Sequence, residues 1–136
     1  MTMSDKRDQG RQYPVGRLEF VQQSWDTGDG HAAKTASLNI NGTVYRMDVI
    51  ISSVTANPTV SITFTNANSI VYGNELDQAA LTDGTSHYFD TESSKDDDAD
   101  FNPVCMNDYV TVSIDPSVDP GGSDQTLTVD VILYVR

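Results

Sequence analysis

The chain has 136 residues, with 8 Lys and Arg against 20 Asp and Glu and a formal net charge of −12. This length is typical of a single domain. So acidic a chain excludes a free nucleic-acid binder that covers phosphates with a basic face. The hydrophobic fraction is 38% and comes in short strand-like runs, so we expect a folded chain with one core.

The amino-terminal ten residues are polar and charged, so we expect no secretory signal. No apolar run approaches the roughly 18 to 20 residues that cross a bilayer, and we expect no membrane insertion. Cys105 is the only cysteine, which excludes an internal disulfide and a cysteine-rich zinc site. We expect Cys105 to be a small buried residue. The alternative role is a nucleophile paired with His87 or His31.

Residues 1–17 form a basic segment at the start of an acidic chain. The segment holds four cations and two carboxylates, a net charge of +2, which leaves −14 for the rest. It lacks apolar periodicity and contains Gly10, Pro14 and Gly16, so we expect an extended arm with no core of its own. Two roles stay open for this basic arm: a frayed terminus, or a tether that orders on contact with a neighbouring subunit.

Alternating apolar and polar residues predict a first strand from Leu18 to about Trp25. Residues 26–30 are rich in Asp and Gly and predict a turn. Alternation resumes at residues 36–40 and reaches Asn41-Gly42, a pair typical of a type I′ hairpin turn because both positions favour positive φ. The return strand of this hairpin is predicted at residues 43–51.

The second half of the chain predicts further strands joined by polar loops. Residues 60–65 alternate between apolar and hydroxyl-bearing side chains, which is typical of a half-buried strand. Residues 69–72 and 86–89 predict shorter strands, and residues 77–81 predict at most one helical turn. An acidic loop is predicted at residues 90–102. Two strands, at residues 109–114 and 126–135, close the chain on either side of a Pro- and Gly-rich loop at residues 115–124.

Seven or eight short strands with no amphipathic helix of ten residues or more predict an all-β fold, an antiparallel β-sandwich or jelly roll. This single domain covers residues 18–136 and follows the extended arm, residues 1–17. In the last strand, Ile132 and Tyr134 make the second face apolar as well. Either the arm or another subunit covers these two side chains, or they pack under the loops of their own chain.

Few residues of the chain are candidates for catalysis. His31 and His87 are the only histidines, and Ser86 is adjacent to His87. Consecutive residues of a strand point to opposite faces, so Ser86 and His87 cannot form a catalytic pair directly. The Gly-x-Ser-x-Gly elbow of the hydrolases is also missing from the sequence. We therefore expect no enzymatic activity and no cofactor.

An aspartate cluster is the best candidate for a metal site. Asp96, Asp98 and Asp100 have the spacing with which a calcium loop begins, but Phe101 and Asn107 stand where such a loop needs Gly and Glu. An EF-hand is therefore excluded. The cluster is either a solvated acidic loop, which is our expectation, or a looser carboxylate site.

Residues 43–136 resemble small all-β proteins encoded among the structural genes of tailed bacteriophages. The resemblance rests on the hydroxyl-rich strand at residues 59–65, the Pro- and Gly-rich turn at residues 115–124, and the apolar strand at residues 126–135 that ends at Tyr134-Val135-Arg136. It points to the capsid decoration, or cement, class, whose members sit on the outer shell and bridge neighbouring coat subunits, often as homotrimers. It implies a virion protein made in the host cytoplasm, with the major capsid protein as its partner and no active site.

The basic arm suits this role physically. Its cations would pair with coat carboxylates, and its aromatic and proline side chains would add apolar contact at low entropic cost. The candidate partner-binding residues are Lys6, Arg7, Arg11, Tyr13, Pro14, Arg17, Ile132 and Tyr134. No direct contact with nucleic acid or membrane is expected.

Three other functions stay open. A tail or head–tail joining protein of the same virions differs from a decoration protein in symmetry, because a ring of six or twelve belongs to the tail axis. A carbohydrate-binding module would use exposed aromatic side chains, for which the sequence offers Trp25, Tyr72, Tyr88 and Phe89. An enzyme would need His87 or a specific acid.

Overall fold

The computed structural model describes residues 16–66, 76–90 and 102–136, which contain seven β-strands and no helix. The strands are β1 (Arg17–Asp26), β2 (Lys34–Ile51), β3 (Thr59–Asn66), β4 (Gln78–Thr82), β5 (Thr85–Asp90), β6 (Val104–Pro116) and β7 (Thr126–Val135). The prediction of an all-β chain is confirmed.

The strands form one antiparallel sheet in the order β1-β7-β2-β6-β3-β4, and β5 pairs with β2 beside this path. Strand β2 changes partners along its 18 residues. Its first half, up to Val44, pairs with β6, and its second half lies between β7 and β5. An irregularity between Val44 and Arg46 marks the change and allows the sheet to curl. The pairing gives a curled, half-barrel-like sheet, and the finer prediction of a sandwich or jelly roll is not confirmed by it.

The core fills the inside of the curl. Alternate residues of each strand point inward, and the largest fully buried side chains are those of Trp25, Phe64 and Phe89. The five apolar residues at odd positions of β7 are all buried, as the sequence predicts. The residues between them, Ile132 and Tyr134 among them, lie on the outer face and are half-buried.

The hairpin predicted at Asn41-Gly42 is wrong, because β2 runs through both residues. Residues 43–51 pair with β7 rather than with residues 36–40. Gly42 has φ +145 and lies against the chain terminus, where a Cβ would meet the Arg136 carbonyl oxygen at 2.7 Å. Thr43 and Arg136 exchange two backbone hydrogen bonds of 2.8 and 3.0 Å. Pairing with a distant strand has therefore overridden the local turn preference.

Other predicted elements have mixed outcomes. The strands predicted from Leu18 and at residues 60–65, 86–89 and 126–135 are confirmed with boundaries within a few residues. The helical turn at residues 77–81 is wrong, since β4 occupies most of it as a short strand paired with β3. The strand predicted at residues 69–72 and nearly all of the acidic loop at residues 90–102 lie outside the described residues.

Candidate docking surface

Four apolar side chains adjoin on the outer face of β1 and β7. Leu18 is the cross-strand partner of Tyr134, and Phe20 is the partner of Ile132. Leu18 is 59% exposed and Phe20 is 53% exposed. These four residues are called the apolar patch below. Directly opposed residues on one face of an antiparallel pair have their Cβ atoms about 5 Å apart, so the patch is continuous.

A buried carboxylate supports the patch from the neighbouring strand. Asp48 on β2 is only 5% exposed. It accepts hydrogen bonds from Arg46 Nε at 2.8 Å and Nη2 at 3.2 Å, and from the Tyr134 hydroxyl at 2.9 Å. The hydrogen bond to Asp48 raises the pKa of Arg46 above its ordinary value. The pKa of the Tyr134 phenol is raised mainly by burial, and the hydrogen bond to Asp48 raises it further. Arg46 and Tyr134 are therefore held in fixed positions, with Arg46 charged and Tyr134 neutral at physiological pH.

Arginines border the patch at the end of the molecule where β1 begins and β7 ends. The Arg46 guanidinium lies 4.9 Å from the Tyr134 ring centroid, and that of Arg136 lies 3.9 Å from the Tyr45 ring centroid. Arg17 pairs in register with Val135, and its guanidinium donates to Glu19 and to the Asn41 carbonyl oxygen. Arg17, Arg46 and Arg136 are called the basic corner below.

The opposite end of the sheet is acidic. Loops meet there through the hydrogen bonds from Thr27 N to Gln125 O and from Ala56 N to Pro120 O. The acidic residues of this end are Asp26, Asp29, Asp83, Asp115, Asp119 and Asp124. In the described part of the chain, Lys34 is the one Lys or Arg that lies at this end rather than in the basic corner. Apart from Lys34, the described Lys and Arg residues therefore lie at the other end of the sheet, where Glu19, Asp48 and Asp90 lie beside them.

The acidic end is held together by its own hydrogen bonds. The Asp119 carboxylate accepts from the backbone N–H groups of Gly28, Gly30 and Gly121 at 2.9 to 3.0 Å. These bonds lower the pKa of Asp119, and the bond from Gly121 has the largest effect. Within residues 16–66, 76–90 and 102–136, no group of three or more His, Cys, Asp or Glu side chains is placed to hold a metal ion. The Asp96–Asp100 cluster lies outside these ranges.

Three of the predicted partner-binding residues come together in the structure. Arg17, Ile132 and Tyr134 lie on or beside the apolar patch, next to Gly16, where the arm joins the sheet. The remaining predicted residues, Lys6, Arg7, Arg11, Tyr13 and Pro14, lie outside the described residues. Sequence reasoning did not single out Leu18 and Phe20, because both faces of β1 carry large apolar side chains and only the fold decides which face is inward.

The residues considered for catalysis lie apart from the apolar patch. His31 Nδ1 is 3.2 Å from the Pro116 carbonyl oxygen. His87 is buried, and its Nε2 is 2.9 Å from the Thr82 carbonyl oxygen. Cys105 is exposed, so the expectation that it is buried is wrong. The long strand β6 places it at an outward position, with its sulfur 3.3 Å from the Thr43 hydroxyl.

The aromatic residues named for carbohydrate binding are mostly inside the protein. Trp25 and Phe89 are each 1% exposed, which excludes them as stacking platforms. Tyr88 is half-buried, with Arg46 5.5 Å from its ring centroid, and Tyr72 lies outside the described residues. The most exposed aromatic side chain of the described residues is that of Tyr109 on β6, at 67%.

Comparisons with protein-family models, curated proteins and solved structures found no match to the chain. In the part of the chain that the structure describes, there is no helix long and apolar enough to span a membrane.

Proposed function

We propose that the chain is a non-enzymatic structural protein of a tailed-phage virion, a capsid decoration protein that binds the outside of the head and bridges neighbouring coat subunits. The observation that carries this proposal is the apolar patch beside the basic corner, at the point where the basic arm joins the sheet. Exposed apolar area and three arginines, two of them paired with Glu19 and Asp48, are thereby gathered at the end of an acidic protein where the cations of the arm join it. The resemblance of residues 43–136 to phage structural proteins supplies the class of partner.

The two kinds of side chain contribute differently to such an interface. Burying Leu18 and Phe20 would stabilise a complex by about 25 cal/mol for each Å² of apolar area removed from water. Each arginine or lysine at the rim would add only about 0 to 1 kcal/mol through pairing with a coat carboxylate. The charges would therefore steer the encounter and set the orientation, while the apolar patch would supply most of the affinity.

Attachment through so small a patch requires more than one copy. Linking several weak contacts in a homotrimer raises the apparent affinity because each further contact forms at high effective concentration. The basic arm serves the same purpose by lying along the neighbouring coat subunit. The acidic end, far from the apolar patch, would face solvent and keep the decorated particle soluble.

The test is co-sedimentation of the full-length protein with empty heads of the virion that contains it. We expect saturable binding that is lost in the double variant Leu18→Ser/Phe20→Ser and in a protein lacking residues 1–16. Val118→Ser is the matched control, because Val118 is also an exposed apolar residue, at 42%, but lies in the loop at the acidic end. Circular dichroism must show that each variant remains folded.

Undiminished binding of both the arm deletion and the double serine variant would overturn this proposal. Failure of the full-length protein to bind heads, together with a ring of six or twelve copies, would favour the alternative of a tail or head–tail joining protein.

A further inference from the structure

A second outer surface, on β2, β6 and β3, is built from neutral polar side chains. It is made of the outward residues of the first half of β2 and of β6 as far as Ser113, with two from β3. Its members are Thr35, Ser37, Asn39, Asn41, Thr43, Thr63, Thr65, Cys105, Asn107, Tyr109, Thr111 and Ser113. This set is called the hydroxyl–amide face below. It consists of different residues from the apolar patch but adjoins it along β1, because Arg17 and Gln23 of β1 donate to the carbonyl oxygens of Asn41 and Thr35.

The burial pattern shows that these residues point away from the core. Along β6, the exposed or half-buried odd positions alternate with the buried residues Met106, Val110, Val112 and Ile114, and with the half-buried Asp108, whose carboxylate accepts a hydrogen bond from Tyr109 N at 2.9 Å. The same alternation holds in β3 and in the first half of β2. None of the side chains of the face carries a formal charge at neutral pH, although the whole chain has a net charge of −12. The nearest outward carboxylate on β6 is that of Asp115, which pairs with Ser61 at the end of the face.

Tyr109 lies near the middle of this face and is 67% exposed. Asn39 is directly opposite it on β2. The neighbouring outward pairs on either side of this one are Asn41 opposite Asn107 and Ser37 opposite Thr111. Neighbouring strands are about 4.8 Å apart, so amide and hydroxyl groups lie beside the ring on the β2 side and before and after it along β6.

We propose that the hydroxyl–amide face binds a neutral polysaccharide, with Tyr109 as its stacking platform. The negative face of an aromatic ring attracts the weakly positive C–H groups on one side of a pyranose ring. Each asparagine amide offers both a donor and an acceptor, and each hydroxyl offers both as well, which matches the hydroxyl groups along a sugar chain. None of the side chains that make up the face is ionic, so none of them must lose the water of a charged group when the sugar binds.

Charge favours a neutral ligand over an acidic one. The chain as a whole repels polyanions because of its net charge of −12. Arg17 borders the face, where it donates to the Asn41 carbonyl oxygen, but its guanidinium is already paired with Glu19. A neutral chain such as a glucan meets neither obstacle. This inference does not depend on the proposed role on the phage head, since it uses different residues.

The experiment measures depletion of the full-length protein by insoluble cellulose, chitin and cross-linked dextran, with calcium alginate beads as the acidic comparison. We expect binding to at least one of the neutral polymers and none to alginate. Tyr109→Phe retains the ring, so we expect it to bind like the wild type. Tyr109→Ala should weaken binding about tenfold, on the scale of one aromatic contact. Val118→Ala, which removes exposed apolar area elsewhere, should bind like the wild type.

A second variant tests the hydrogen-bonding part. Asn39→Ala/Asn107→Ala keeps the ring and removes two amides, and we expect weaker binding with unchanged folding. Labelling the exposed Cys105 thiol of the unmutated protein with a bulky maleimide should also block binding, because Cys105 lies on the same strand and the same face as Tyr109.

The proposal is overturned if the wild type binds none of the neutral polymers, or if Tyr109→Ala binds as tightly as Tyr109→Phe. It is also overturned if Tyr109→Ala instead lowers the oligomeric mass in solution, because the face would then be a contact between copies of this chain.

Discussion

The side chain of Asp48 offers the sharpest test of how the docking surface is held together. We consider Asp48→Ala, which removes a carboxylate that is 5% exposed and accepts three hydrogen bonds, two from Arg46 and one from Tyr134. A hydrogen bond to a charged group contributes about 1.5 to 3 kcal/mol. Breaking a fully buried ion pair costs about 3 to 5 kcal/mol. The Arg46 side chain is 36% exposed and regains water when its partner is lost, so we expect a loss of about 2 to 3 kcal/mol, at or below the low end of that range.

Two further single variants rank the contributions of the Tyr134 hydrogen bond and the Arg46 ion pair to stability. Tyr134→Phe removes one hydrogen bond to the carboxylate and leaves the ion pair, so we expect a loss of about 1.5 kcal/mol, the low end of the range for a bond to a charged group. Arg46→Met leaves the buried Asp48 carboxylate with the Tyr134 hydroxyl but without its cation, and we expect the largest loss, about 3 kcal/mol. The double variant Arg46→Met/Asp48→Ala should be more stable than the sum of the single losses predicts, because no unpaired charge remains.

The measurement is urea unfolding at pH 7, followed by the fluorescence of Trp25. Trp25 is the only tryptophan and is 1% exposed, so its emission reports the loss of the core directly. A loss below about 0.5 kcal/mol for Asp48→Ala, the scale of an ordinary surface substitution, would refute the reasoning. So would a loss for Tyr134→Phe that exceeds the loss for Arg46→Met.

Three other predictions concern Asp77, the buried Phe64 and the close contact of Gly42. Burial raises the pKa of Asp77 above its ordinary value of 3.8, and the hydrogen bond from Phe64 N, which lowers the pKa, only partly offsets it. The stability that this carboxyl contributes is therefore complete below pH 3.8 and is lost as the pH rises through the native pKa. Asp77→Asn should raise the urea midpoint at pH 7 but not at pH 3. Phe64→Ala, at a fully buried position, should cost about 3 to 5 kcal/mol, and a loss under 1 kcal/mol in urea unfolding would contradict the packing. Gly42→Ala should lower the stability by more than about 1 kcal/mol, since φ is +145 and the Arg136 carbonyl oxygen lies 2.7 Å from the added Cβ. Thermal unfolding measures this loss, and an unchanged midpoint would argue against the close approach of Gly42 to Arg136.

Strands with one continuous apolar side were predictable from the sequence. The odd residues of β7 and the even residues of β3 each form such a side, and both strands lie where the pattern indicates. Local patterns failed where distant pairing decides the conformation. Gly42 has the chemistry of a hairpin turn, yet the chain continues through it because β7 supplies the partner for residues 43–51.

The docking surface was only partly predictable for the same reason. Ile132 and Tyr134 stand out because they interrupt the polar side of an alternating strand. Leu18 and Phe20 belong to a strand with two apolar sides, and only the burial of Val21 and Trp25 shows which side is inward. The exposure of Tyr109 depends on the length of β6, which begins at Val104, earlier than the alternation at residues 109–114 indicated.

The central claim is that this protein attaches as a small oligomer to the outside of a phage head. The most direct measurement is the mass of the full-length protein by light scattering, alone and then mixed with empty heads. We expect a trimer in solution and a mass gain on the heads that saturates as protein is added. A ring of six or twelve copies that adds no mass to the heads would contradict the decoration role.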